Sequence, residues 1–248
     1  MRSLYAVGSE EELRTYQAAA QRLQPRLEAY IAVLRERFAV KELPRAIVWT
    51  SAAAATNLLS NIPVPAYTNE YRVIFCPEPD VWRHIWLKQL DGLTGPAAGE
   101  IRTYYQTSVT DDRILSILGH ELAHHSEFFL DGFDDTREDG IWFEEGMAEY
   151  IGRSYFLTPE AFEEEARINR LLVELLQERY GRHSLEDFGA ATYEGGDYAG
   201  IFFNYWRSFL AVETLVGRLG GVRAVFDAYR RWCAGDREQP LAEWFALE

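Results

Sequence analysis

The run His120-Glu121-Leu122-Ala123-His124 constrains this chain more than any other stretch. On an α-helix, residues four apart project on the same side, so two imidazoles one turn apart can reach a single metal ion. Glu121 stands about 60° round from His124 at 3.6 residues per turn, close enough to act on a water held at that metal. Ile114, Leu115, Leu118 and Leu122 fall on the opposite side. The spacing therefore predicts a helix with its back in a core and its front in a cleft, running from a cap at Thr110 or Asp111 to about Phe128.

A catalytic zinc site takes three protein ligands and leaves the fourth position to water, so the two histidines need a partner. Trp142-Phe143-Glu144-Glu145-Gly146-Met147-Ala148-Glu149-Tyr150 supplies the candidate, Glu145. It lies 21 positions beyond His124 (145 − 124), room for the first helix to end, turn through the acidic loop Asp131 to Gly140 and return antiparallel. Glu149 follows at i+4 on the same face. Its carboxylate can accept a hydrogen bond from the non-ligating nitrogen of a metal-bound histidine and so fix its tautomer. Glu144 points elsewhere and is read as solvated, while Phe143, Met147 and Tyr150 are read as packing between the two helices. Ligand type favours one Zn2+ ion over other divalent metals.

Together the two motifs resemble the gluzincin metallopeptidases, the group of thermolysin and the aminopeptidase N type, and within it the compact peptidase MA-like members. The likeness covers roughly residues 114–151. It implies His120, His124 and Glu145 as zinc ligands, Glu121 as general base and Glu149 as the buttress of a zinc-bound histidine. It also implies a tyrosine near the start of a later helix that stabilises the oxyanion. Tyr198, in Asp197-Tyr198-Ala199-Gly200, is the choice and Tyr193 its rival. In such enzymes an edge strand aligns the extended substrate, a role that falls on Ile101 to Ser108. The chain lacks the Gly-x-Met-Glu-Asn motif with which aminopeptidases hold a substrate amine, and Glu144 replaces the Asn that usually precedes the ligand Glu.

The remaining pattern is α+β. Residues 10–38 read as one amphipathic stretch, with Pro25 predicting a kink or a break into two helices. Ala46 to Thr50, Tyr71 to Cys76 and Ile101 to Ser108 read as strands, making a small mixed sheet over residues 46–108 that packs on the metal-bearing helix. Ala52 to Leu59 and Val81 to Leu90 read as short helices. Beyond Thr110 the pattern is helical: Ile141 to Tyr155, Thr158-Pro159 opening a helix to Tyr180, Asp197 to Leu219, and a last helix ending near Trp232. The organisation expected is an N-terminal helix and small-sheet part, 1–109, and a helical part, 110–248, forming one compact unit with the cleft between them.

At 248 residues and 48% hydrophobic content a sizeable core is available. The net charge of −14 argues against sequence-independent nucleic-acid binding and against docking on anionic membranes. No apolar run is long enough for a signal peptide or a membrane span, and a cytoplasmic location is expected. Cys76 and Cys233 lack metal or redox spacing and read as reduced thiols, a single disulfide being the alternative. His125 reads as packed beside the ligands, and His84 and His183 as surface residues. Glu163-Glu164-Glu165 reads as a solvated helix face, and Phe202, Phe203, Tyr205, Trp206 and Phe209 as core.

The function expected is hydrolysis of a peptide or protein substrate through a metal-activated water, with Glu121 as base and Tyr198 at the oxyanion. The alternatives are a zinc-binding regulatory protein without turnover and a gluzincin-like hydrolase of a non-peptide amide or epoxide. An intact Glu121 argues against the first, because nothing structural requires that carboxylate.

Overall fold

The computed structural model describes residues 1–60, 63–130, 132–133, 139–181, 183–193 and 197–247. Most of the acidic loop 131–140 therefore lies outside the described residues, as do positions 194–196 after Tyr193. The fold is α+β, with a four-stranded mixed sheet at the N-terminal end and a helical C-terminal half. Among the described residues no helix is long and apolar enough to cross a membrane.

The sheet has the order β1-β2-β4-β3, formed by Arg2–Ala6, Ala46–Thr50, Arg72–Phe75 and Ala66–Thr68 in that spatial order. β1, β2 and β4 are parallel and β3 closes the edge antiparallel, with Ala66 opposite Phe75 and Thr68 opposite Val73. Parallel strands need a covering crossover, and α1 (Glu10–Arg37) supplies it between β1 and β2. All five residues of β2 are buried, as expected where both faces of a sheet are covered. Val48 and Ile74 pack beneath Ala55, which follows the short helix α2 (Ala52–Ala54) after β2.

Two sequence expectations fail here. Ile101 to Ser108 is not a strand but the body of α4 (Pro96–Thr107). Gly95 takes φ +98, Pro96 occupies the first helical turn, and Ala98, Ile101 and Tyr105 are fully buried at helical spacing. That period outweighs the strand preference of Tyr and Thr. The sheet accordingly draws its fourth strand from residues 2–6 rather than from residues 101–108. Nor does Pro25 break α1, which is hydrogen-bonded as one helix. Pro25 lies on the exposed side, where the carbonyl it leaves unpaired can reach water.

The helices that carry the candidate site are α5 (Asp111–Ala123) and α6 (Ile141–Phe156), and they pack closely on each other. A Cβ placed on Gly152 of α6 would lie 2.6 Å from the Ser116 carbonyl oxygen of α5 and 2.9 Å from the His120 nitrogen. Six residues earlier, a Cβ on Gly146 would lie 2.3 Å from the carbonyl oxygen of Ser208, on α8 (Tyr198–Leu219). The two glycines let α6 settle between its neighbours at a distance no side chain would permit. From α1, Arg22 reaches Asp111 at 2.7 Å and Arg26 pairs with Asp112, placing carboxylates in the first turn of α5, where the helix dipole favours them. α3 (Pro79–Lys88), α7 (Pro159–Tyr180), α9 (Val222–Cys233) and α10 (Leu241–Trp244) complete the shell. Thr158 caps α7 as expected, its hydroxyl accepting from the Ala161 amide.

Candidate metal centre

α5 ends at Ala123, five residues earlier than its apolar pattern suggests, so His124 is its C-cap residue. The chain then turns tightly, with the amides of His125 and Ser126 bonding back to Leu122 and Ala123. The helical register nevertheless reaches both imidazoles, and their Nε2 atoms face each other at 3.1 Å. Glu145 comes in from α6, with its Oε2 3.1 Å from His120 Nε2 and 3.5 Å from His124 Nε2. These three atoms form the single group of potential metal ligands found among the described residues.

The triangle matches what a zinc ion needs. Tetrahedral ligands held about 2.0–2.1 Å from a metal stand roughly 3.3–3.4 Å from one another, and the three edges here run from 3.1 to 3.5 Å. Glu145 Oε2 is buried and receives no aligned hydrogen bond, a costly state for a carboxylate unless a cation satisfies it. Burial opposes ionisation of Glu145, but the imidazoles outweigh it and hold its carboxyl far below the usual carboxylate range. Burial likewise acts to lower the His120 pKa, and Glu145 and Glu149 overcome it and leave it raised. Two imidazoles and a carboxylate crowded in this way suit a dication better than a set of shared protons.

Glu149, expected to accept a hydrogen bond from His120, comes near it without making one: its Oε1 lies 3.7 Å from His120 Nδ1, a nitrogen with no hydrogen-bond partner among the described residues, and its Oε2 pairs with Arg153 at 2.6 Å. Glu121 is 6% exposed and faces the cleft beside the triangle. Burial, with Glu145 and Glu149 adding to it against His124, pushes its carboxyl up to about 8. A dication in the triangle would act in the opposite sense, favouring the carboxylate form.

The cleft in front of these groups measures about 370 Å³. β3 forms one wall through Ala66, Tyr67 and Thr68, and Tyr193 and Tyr205 form another. The hydroxyls of Tyr193 and Tyr205 are 2.9 Å apart, and burial followed by the Glu145 charge raises both well above the ordinary phenol range. They stay protonated and able to donate. Tyr198 is not in this cleft. It lines a separate cavity with Pro65, Val81 and Ile85, because the first turn of α8 sets it two turns short of Tyr205 (198 to 205). Of the two tyrosines weighed in the sequence, Tyr193 lines the cleft with Tyr205 beside it, and Tyr198 does not. Tyr205 was hidden in an aromatic run read as core. Phe202, Phe203, Trp206 and Phe209 are indeed buried, whereas Tyr205 lines the cleft with its hydroxyl against that of Tyr193.

Three further readings change. Glu144 is not solvated: it lines the cleft and accepts a hydrogen bond from Tyr229 at 3.0 Å. Glu165 is fully buried rather than on a solvated face. His183 is held by Tyr180 and Asn204. His125 bonds Thr68 Oγ1 at 2.9 Å and so ties the site helix to β3, and burial pushes its imidazole down to about 4. His84 is exposed, as expected. Cys76 and Cys233 are not joined in a disulfide.

Comparison of the chain with models of known families, with curated proteins and with solved structures gives no match.

Proposed function

We propose that this chain is a zinc-dependent metallopeptidase, cutting peptide bonds by attack of an activated water. The observation that carries the reading is the donor triangle of His120, His124 and Glu145 with Glu121 beside it at the floor of an open cleft. A zinc ion held there would polarise the scissile carbonyl and acidify water. The side chains do the rest. Glu121 accepts the proton of the attacking water and returns it to the leaving amine. Tyr193 donates to the oxyanion that develops on the scissile carbonyl, and Tyr205 holds the Tyr193 hydroxyl in place. Glu149 orients His120 through its Nδ1.

The substrate-aligning strand in this reading is β3. It is the sheet edge, it pairs only with β4 among the described residues, and it walls the cleft. An extended peptide adding antiparallel to β3 would bring its carbonyls past the metal centre. A small side pocket of about 60 Å³ lies beside His120 and Glu121, lined by Trp82, Trp86, Phe202 and Trp206 on one part and by Arg113, Glu149 and Arg153 on another. Its volume is well under the ~150 Å³ that holds benzene in an engineered cavity, so it suits a small or branched aliphatic side chain.

The test is a metal analysis of the purified chain followed by a fluorogenic peptide library, with and without a chelator. Cleavage that needs the metal and is lost in Glu121→Gln supports the proposal. Full activity in Glu121→Gln, or no turnover of any peptide by the zinc-loaded chain, overturns it.

A further inference from the structure

We propose that Glu165 of α7, three side chains removed from the donor triangle, is a positioning residue that sets the metal affinity of the site through Arg153 and Glu149. The proposal rests on the reading above only in that the triangle binds zinc. Its basis is a continuous buried charge network across three helices. Glu149 spans from His120 Nδ1 to Arg153 Nε, at 3.7 and 2.6 Å. Arg153 lies over the Phe209 ring, and its Nη1 donates to Asn169 Oδ1 at 3.0 Å and faces Glu165 Oε1 at 3.5 Å. Asn169 in turn donates to Glu165 Oε1 at 2.8 Å. The other oxygen of Glu165 pairs with Arg113 of α5 and accepts from Tyr104 of α4. Glu165 and Asn169 are fully buried, and Arg113 and Arg153 nearly so.

The network is balanced by charge: Arg113 and Arg153 against Glu149 and Glu165. Among the described residues Glu165 is the one carboxylate that both guanidinium groups approach. Without its charge the two cations face Glu149 alone in a low-dielectric interior, where an unpaired charge is expensive. Arg153 is then drawn more fully onto Glu149, whose remaining oxygen leaves His120 Nδ1. The same loss leaves one net positive charge a few side chains from the place of a dication. Both effects weaken zinc binding. A cluster serving only to hold three helices together would change folding stability and leave metal affinity alone.

The full chain, stripped of metal, is titrated with zinc against a chromophoric competing chelator. Glu149→Gln and Glu165→Gln should each lower zinc affinity about tenfold or more, the range seen when outer partners of metal ligands are lost. The double variant should lose less than the product of the two single losses, because both act on one path. Tyr104→Phe keeps the charge of Glu165 and removes one hydrogen bond each from Glu165 and Arg113, and should give a smaller loss in the same direction. It carries the test if Glu165→Gln fails to fold, which thermal melting of the metal-free protein reports. Zinc affinity unchanged in a folded Glu165→Gln or in Tyr104→Phe overturns the inference, as does a double loss equal to the product. Wild-type chain that binds no zinc overturns the metal reading itself.

Discussion

The Tyr193 and Tyr205 hydroxyls meet at 2.9 Å on the wall that faces the His120, His124 and Glu145 triangle. Tyr193 ends the short 3-10 helix Ala190–Tyr193 and Tyr205 lies about two turns into α8, so their contact ties the two segments together beside the triangle. If Tyr193 donates to the oxyanion, Tyr193→Phe should cut kcat by about 10²-fold with little change in KM, the scale for one oxyanion donor. Tyr205→Phe should cut it less, since a free Tyr193 hydroxyl can still turn inward. Tyr198→Phe, in a separate cavity, should leave both parameters near wild type. Equal losses in Tyr198→Phe and Tyr193→Phe would refute this assignment, as read by steady-state kinetics on one fluorogenic peptide.

Gly152 sets the separation of α5 and α6, the two helices that carry the triangle. A Cβ there falls 2.6 Å from a backbone oxygen that no rotamer change can move. Gly152→Ala should push α5 and α6 apart and cost about 1–3 kcal/mol of folding stability, as overpacking does, together with a loss of zinc affinity. Gly217, in α8, has nothing within 4 Å of its Cβ position. Gly217→Ala should instead stabilise the chain by about 0.5–1 kcal/mol through helix propensity. Denaturant melts of the two variants check both signs at once.

What could be read in the chain divides along the range of the interactions involved. The two histidines and Glu121 are placed by the geometry of one helical turn, and Glu145 and Glu149 by the short return of a neighbouring helix. The bounds of β2 and α7 were likewise legible, from a compact apolar run and a Thr-Pro opening. β1 was not, because Arg2–Ala6 becomes a strand only by pairing with Ala46–Thr50 across the whole of α1. Residues 101–108 misled because residue type spoke for a strand while burial at 98, 101 and 105 follows a helix. Glu165 carried a usable signal: with Ile168, Asn169, Leu172 and Leu176 it falls on one buried helical stripe. A carboxylate on such a stripe must have partners, but only the fold names Arg113 and Arg153.

The two thiols should differ sharply in reactivity. Cys76 is fully buried, and burial pushes its thiol up to about 12. Since the thiolate is the nucleophile, a raised pKa keeps Cys76 in the unreactive form at pH 8, and it should stay so until the chain unfolds. Cys233, at the end of α9, is only partly buried. Ellman's reagent on the native chain should therefore titrate one thiol, and two in guanidinium chloride. Two fast thiols in the native state would contradict the packing around β4.

Substrate selection should be set by the aromatic walls beside Glu121. Trp82 and Trp86 come from α3, Phe202 and Trp206 from α8, and together with Arg113, Glu149 and Arg153 they leave only about 60 Å³. A peptide library should therefore show preference for Val, Leu or Ile over Phe and Trp at one position next to the scissile bond. Trp206→Ala removes the wall residue that stacks on Phe202 at 6.0 Å and should admit the larger side chains, raising kcat/KM for Phe at that position by about tenfold or more. A methylene or two in such a pocket is worth roughly 10–200-fold in discrimination, which makes the shift measurable. Trp206 is 3% exposed, so the variant also pays in stability, and the comparison must be a ratio between peptides cleaved by the same protein. An unchanged ratio would mean that the side chain flanking the scissile bond lies elsewhere in the cleft, toward Tyr67 and Phe133.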